Sequence, residues 1–139
     1  TGSAQHLQPM FSMSKRFTYW KEALEIILAH PLTGVGLGNF DIRDSFYAHN
    51  SYLQLWAETG ILGIASFLWL IVVILKNATK NFRRTPERAR TVGLLAAVLI
   101  FLIHNFMDFS FFLPGISFIW WILAGLLFCG EKKLARAAI

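Results

Sequence analysis

The sequence predicts an all-α fold: a polytopic membrane protein fragment with about three transmembrane helices and a helical loop region on the outer face. Three observations predict it. Of 139 residues, 55% are hydrophobic and 15% charged, against roughly 25% charged in soluble domains. Apolar runs at 61–75, 91–107 and 111–129 contain no Lys, Arg, Asp or Glu. The cations gather between and after those runs. Lys76, Lys80, Arg83, Arg84, Arg88 and Arg90 share one loop with only Glu87 opposing them, and Lys132, Lys133 and Arg136 follow the last run.

That distribution sets the topology. Basic loops stay on the cytoplasmic side, so 76–90 and 130–139 lie inside, while 1–60 and 108–113 lie on the outer side. The net charge of +5 is therefore read as a membrane-orientation signal and not as a nucleic-acid footprint. A single Cys129 inside an apolar run excludes a disulfide framework or a cysteine-rich metal site.

Along the chain, 1–13 is polar and unpatterned, lacks an initiator Met and reads as disordered or a cloning remnant on a piece of a larger protein. From 14 to 60 the outer-face region follows. Ser14 to Ala29 predicts an amphipathic helix whose apolar face is Phe17, Trp20, Leu24, Ile27 and Leu28. His30-Pro31 ends it, because the residue before proline is pushed out of helical geometry. PLTGVGLGNF is a turn-rich loop. A second helix begins near Asn50, a residue suited to cap it, and Gly60 breaks or caps that helix. Residues 61–139 hold the spans. The run 61–75 is about 22 Å long, short of a roughly 30 Å hydrocarbon core unless Lys76 snorkels or 53–56 extends it. Pro114 suits the first turn of the last helix.

Few residues carry chemistry. Gly34-x-Gly36-x-Gly38 is not a dinucleotide fingerprint: Asn39 stands where the third glycine belongs, and a helix, not a strand, precedes it. Its glycines allow tight turns, or present backbone N–H groups to an anion. His49 beside Asn50 is sharper. It is either a helix cap with an interfacial polar neighbour or a base, since imidazole suits proton transfer near neutral pH. His104 and Asp108 are four apart and so share a face at the outer end of the second span, flanking Asn105. Polar groups there are an interfacial cap or a functional site. Arg16 is a headgroup contact or a guanidinium that clamps phosphate. No local metal-ligand spacing is present; a composite of His49, His104 and Asp108 is the residual alternative. Asn77-Ala78-Thr79 matches a glycosylation acceptor but falls on the inner side.

Three stretches resemble a known family. RFTYWKEALEIILAHPLTGVGLGNF is similar to the outer-loop start of the O-antigen ligase and O-antigen polymerase superfamily. AHNSYLQLWAETGILG resembles its ligases' His-Asn, nine residues, Gly-x-x-Gly pattern, with His49, Asn50, Gly60 and Gly63 in register. IHNFMDFSFFLPG resembles the Asp-containing segment before the last helix. The likeness runs from residue 14 to about 130 and covers the C-terminal part of such a protein.

The resemblance implies a membrane glycosyltransferase that takes glycan from undecaprenyl diphosphate at the outer face of the inner membrane, in lipopolysaccharide or surface polysaccharide biosynthesis. Its partners would be that lipid-linked donor, a glycan or lipid A–core acceptor, and membrane lipid, with no cofactor, metal or nucleic acid. Branches of the family ligate, polymerise or glycosylate proteins. His49 would act as the catalytic base, with Arg16, Asn50, His104 and Asp108 binding substrate; the fragment alone is expected to be inactive. The alternatives are a transporter or flippase for the same glycan and a non-catalytic membrane component of an export system. A transporter is expected to line its mid-membrane with polar side chains, and here Ser66 and Ser117 are the clearest.

Overall fold

A computed structural model describes residues 8–42, 45–84 and 88–129. Among the described residues four α-helices run in order: α1 (Gln8–Ala29), α2 (Ser51–Arg84), α3 (Arg88–His104) and α4 (Pro114–Cys129), with a 3₁₀ turn at Ser110–Phe112 before α4. Among the described residues the only β pairing is an isolated bridge between Ile42 and Ser45. The chain forms two compact units. One comprises Thr1–Ile64 and Phe106–Phe109, the other Ala65–Asn105 and Ser110–Ile139.

The first unit packs α1 and the loop after it around Ala23, Ile27, Phe40, Ile42, Ala48 and Ala57, with Tyr19, Ile26, Leu53 and Trp56 against them. This corrects the expected face of α1. Ile27 is buried as predicted, but Phe17, Leu24 and Leu28 are exposed, Leu28 by 79%. The helix carries two apolar stripes, and the inward one is built on Tyr19, Ala23, Ile26 and Ile27. A hydropathy period cannot choose between two such stripes. Helix α1 also begins at Gln8 rather than Ser14.

The second unit is helical throughout its core. Ile74, Ala78, Val98, Leu102, Trp120, Ala124 and Leu127 form one cluster from α2, α3 and α4. Ala78 and Ala124 are almost fully buried and let the helices come close, as small residues do between membrane helices. The Trp120 indole donates to the Val98 carbonyl at 3.3 Å, and Asn81 Nδ2 donates to the Leu127 carbonyl at 3.0 Å. Outside this core, Trp69, Ile100, Ile103 and Phe118 are each about two-thirds exposed. Such a surface is unsuited to water and suited to lipid.

The span boundaries shift. Helix α2 replaces the expected 61–75 run with 34 residues, and it is the one described helix long and apolar enough to cross a membrane. Gly60 sits at φ 66°, ψ −169° inside it, so α2 is two helices meeting at a break, as expected. The part 61–84 is about 36 Å long at 1.5 Å per residue. Lys76, Lys80, Arg83 and Arg84 belong to this helix and not to a loop. Lysine and arginine are good helix formers, so charge alone does not end the helix; the residues 85–87 between α2 and α3 lie outside the described ones. Helix α3 ends at His104, three residues before the expected 107, and α4 starts at Pro114 rather than 111. Their 17 and 16 residues fall short of the roughly 20 that span a bilayer without tilt or thinning. Asn77 lies within α2, its amide donating to the Val73 carbonyl at 3.1 Å.

Candidate functional site

The glycine loop is a lock on the helix break. A break at Gly60 leaves carbonyls just before it without their partners four residues on. The loop supplies partners: Val35 N–H donates to the Ala57 carbonyl and Gly36 N–H to the Glu58 carbonyl, both at 2.9 Å. In return, Ile61 N–H donates to the Pro31 carbonyl at 2.9 Å. Space is the reason for glycine at both contacts. A Cβ on Gly34 would overlap the Glu58 carbonyl group, and one on Gly60 would overlap that of Leu32. The Gly-x-x-Gly pattern has a second cause at Gly63, where a Cβ would collide with the Thr59 side chain. Of the two readings of the loop, presentation of N–H groups is therefore real but internal. Gly38 N–H reaches an anion, the Glu58 carboxylate, at 3.2 Å.

His49 stands at a corner between that loop and α2. It has φ 50°, a left-handed conformation uncommon for a side-chain-bearing residue. Its neighbours fix it from both sides. Ala48 is fully buried. Asn50 caps α2: its Oδ1 accepts from Tyr52 N–H and Leu53 N–H, both at 3.1 Å. Ser51 donates through N–H (3.0 Å) and Oγ (3.1 Å) to the Asp108 carbonyl, which draws 106–109 to the start of α2.

Aromatic rings surround the half-buried imidazole. Tyr19 of α1 stacks on it at 5.9 Å, and Phe109 meets it edge-on at 5.0 Å while stacking on Tyr47 at 4.3 Å. Loss of water around the ring lowers the His49 pKa, the Arg16 guanidinium lowers it further, and the Asp108 carboxylate opposes both. Arg16 and Asp108 are thus both close enough to His49 to act on its charge. The net lowering favours the uncharged imidazole, the form that accepts a proton.

The remaining predicted residues are placed differently. Asp108 lies beyond the end of α3, so it does not share a helix face with His104, correcting the expectation from their spacing. The helix stops because Asn105, fully buried, turns its side chain on the backbone: Nδ2 donates to the Phe101 carbonyl at 2.8 Å and Oδ1 accepts from Phe111 N–H at 3.1 Å. His104 is the exposed last residue of α3, in the second unit. Among the described residues no group of three or more His, Cys, Asp or Glu is placed to hold a metal. A groove of about 610 Å³ runs along the polar side of α1, past Lys21, Glu22, Glu25 and Asp41, but does not include His49 or Arg16.

Sequence reasoning missed Tyr19, Tyr47 and Phe109, whose meeting depends on chain segments far apart. It also passed over Gln54 and left Glu58 without an assigned role, although a signal for both exists. Asn50, Gln54 and Glu58 recur every four residues and form a polar stripe on one face of an otherwise apolar helix.

The family model described as O-antigen ligase matches residues 7–68. The match takes in α1, the glycine loop, the His49 corner and the helix break. No curated protein and no solved structure matched the chain.

Proposed function

We propose the following activity from the match of residues 7–68 to the model of the O-antigen ligase family, a membrane-integral family of surface polysaccharide synthesis. The protein transfers or polymerises glycan from an undecaprenyl diphosphate carrier at the outer face of the inner membrane. The observation that carries this reading is the half-buried His49 inside the matched segment, its pKa lowered by burial and by Arg16 against the opposing pull of Asp108.

The chemistry needs little else. The donor sugar leaves with a diphosphate, so the enzyme must take a proton from the acceptor hydroxyl and neutralise charge on the leaving group. His49 removes the hydroxyl proton as the oxygen attacks the anomeric carbon. The bond from that carbon to the diphosphate oxygen breaks, and the electron pair leaves with the diphosphate. Arg16 offers paired N–H donors to the departing oxygens. Asp108 favours the imidazolium that forms. Asn50 holds the corner by capping α2, and a substrate role for His104 remains part of the proposal. In this reading residues 1–60 and 108–113 face the periplasm and 76–90 and 130–139 the cytoplasm. The apolar helix after Gly60 and the exposed apolar faces of α3 and α4 support membrane siting.

The test is a deletion strain complemented with the full-length protein, wild type or His49→Ala at matched levels, with surface glycan resolved on a gel. Restoration by wild type alone places His49 in the transfer step. A full ladder from His49→Ala removes it. The deletion phenotype separates the branches: one repeat unit on the acceptor marks a polymerase, and bare acceptor with polymer retained on the carrier marks a ligase.

A further inference from the structure

Glu58 is a carboxylate only 3% exposed, and Gln54, one turn before it, is 2% exposed. Burial of two such groups is costly unless each polar atom is matched. Three hydrogen bonds match them in series. Ala48 N–H donates to Gln54 Oε1 at 3.2 Å, Gln54 Nε2 donates to Glu58 Oε1 at 3.1 Å, and Gly38 N–H donates to Glu58 Oε2 at 3.2 Å. One end of this chain holds the glycine loop. The other holds the peptide that leads into His49, whose left-handed backbone needs support from its surroundings.

We infer that Gln54 and Glu58 are positioning residues: a buried amide–carboxylate pair that ties the glycine loop to the residue before His49 and so sets the imidazole's place. They touch neither substrate nor the reacting atoms. The inference deepens the proposed function and rests on His49 being the base there. It also gives the lone acidic residue of AHNSYLQLWAETGILG a purpose. A carboxylate offers two acceptors and no donor, which is what an amide N–H on one side and a peptide N–H on the other require.

The donor pattern makes a discriminating test, because the two side chains have nearly the same shape. Gln54→Glu puts two carboxylates face to face with no donor between them. Glu58→Gln leaves an NH₂ group turned toward either Gly38 N–H or the Gln54 amide, so one donor is orphaned in both orientations. The double swap, Gln54→Glu with Glu58→Gln, restores all three bonds: the amide at position 58 donates to position 54, its oxygen accepts from Gly38, and the carboxylate at 54 accepts from Ala48.

The experiment uses the full-length protein in native membranes, with wild type, both single variants and the double variant at matched abundance. One readout is surface glycan formed per molecule. The other is the rate and pH midpoint of diethyl pyrocarbonate modification at His49, measured on its peptide by mass spectrometry. Each single variant is expected to lose roughly 10- to 100-fold in transfer, the scale of one charge-assisted hydrogen bond, and to change the His49 modification rate or midpoint. The double variant is expected within about threefold of wild type in both readouts, since the pattern is rebuilt. Single variants that modify His49 as wild type does, or a double variant no better than either single, overturn the inference. Failure of the parent reading looks different: His49→Ala keeps transferring glycan while His49 modification in the Gln54 and Glu58 variants still follows the swap.

Discussion

Replacing Gly60 with alanine tests whether the helix break and the loop form one structure. Gly60 has φ 66° and ψ −169°, a region open essentially to glycine alone and costing other residues of order 1–3 kcal/mol. The added methyl would also overlap the Leu32 carbonyl and lie 2.6 Å from Thr33 N. Both are backbone atoms, so no side chain can swing aside. Relief requires the loop to withdraw, which gives up the bonds Val35 to Ala57, Gly36 to Glu58 and Ile61 to Pro31, each contributing about 1 kcal/mol. Together the two effects reach roughly 4–6 kcal/mol, against a total stability of about 5–15 kcal/mol for a typical domain. Gly38→Ala is the control. Its φ of 76° is also left-handed, but a methyl there meets no atom within 4 Å, so the cost is the conformational one of about 1–2 kcal/mol. Thermal unfolding of the purified full-length protein, read by size exclusion after heating, should show a large drop for Gly60→Ala and a small one for Gly38→Ala. Equal midpoints for the two variants would refute the account of the loop as a lock on the break.

Transfer activity should fall as pH drops through the His49 pKa, which lies below the usual 6.5, because only the neutral imidazole accepts a proton. Measured on residual activity, Arg16→Met removes a neighbouring positive charge, eases protonation and moves that acid limb to higher pH, whereas Asp108→Asn moves it lower; limbs that stay in place would separate these charges from His49. Asn50→Ala should destabilise the full-length protein by about 1–2 kcal/mol through loss of the α2 cap, and Asn50→Ser should recover most of it, as judged by the same thermal assay. With Cys129→Ser as background, a cysteine in place of Leu37, which is 74% exposed, should react with an impermeant maleimide from outside intact spheroplasts, and one in place of Arg88 only after permeabilisation. The opposite pattern would reverse the proposed topology.

Much of the architecture is legible in the order of residues because it depends on local chemistry. Asn50 marks the start of a helix through its own side chain, Gly60 marks the break, His30-Pro31 ends α1 and Pro114 opens α4, all within a turn of the residue concerned. The apolar runs announce helices that shun water. What fails is whatever needs a second segment. The inward stripe of α1 depends on which of two apolar faces meets Phe40, Ile42 and Ala57. The end of α3 depends on Asn105 turning to Phe111 N–H, so a spacing of four between His104 and Asp108 does not put them on one helix.

By itself the sequence determined an all-helical, lipid-suited chain with a glycine-rich loop and a His-Asn corner, because propensity, hydropathy and capping act over a few residues. Only the tertiary structure decided that the glycine loop closes the break at Gly60, that Glu58 answers Gly38 and Gln54, and that Arg16 and Asp108 bear on the charge of His49. Apart from Gln54 and Glu58, which are one helical turn apart, those relations join residues 20 to 59 positions apart. Buried hydrogen bonds and charge interactions fall steeply with distance in space, and separation along the chain does not reveal that distance.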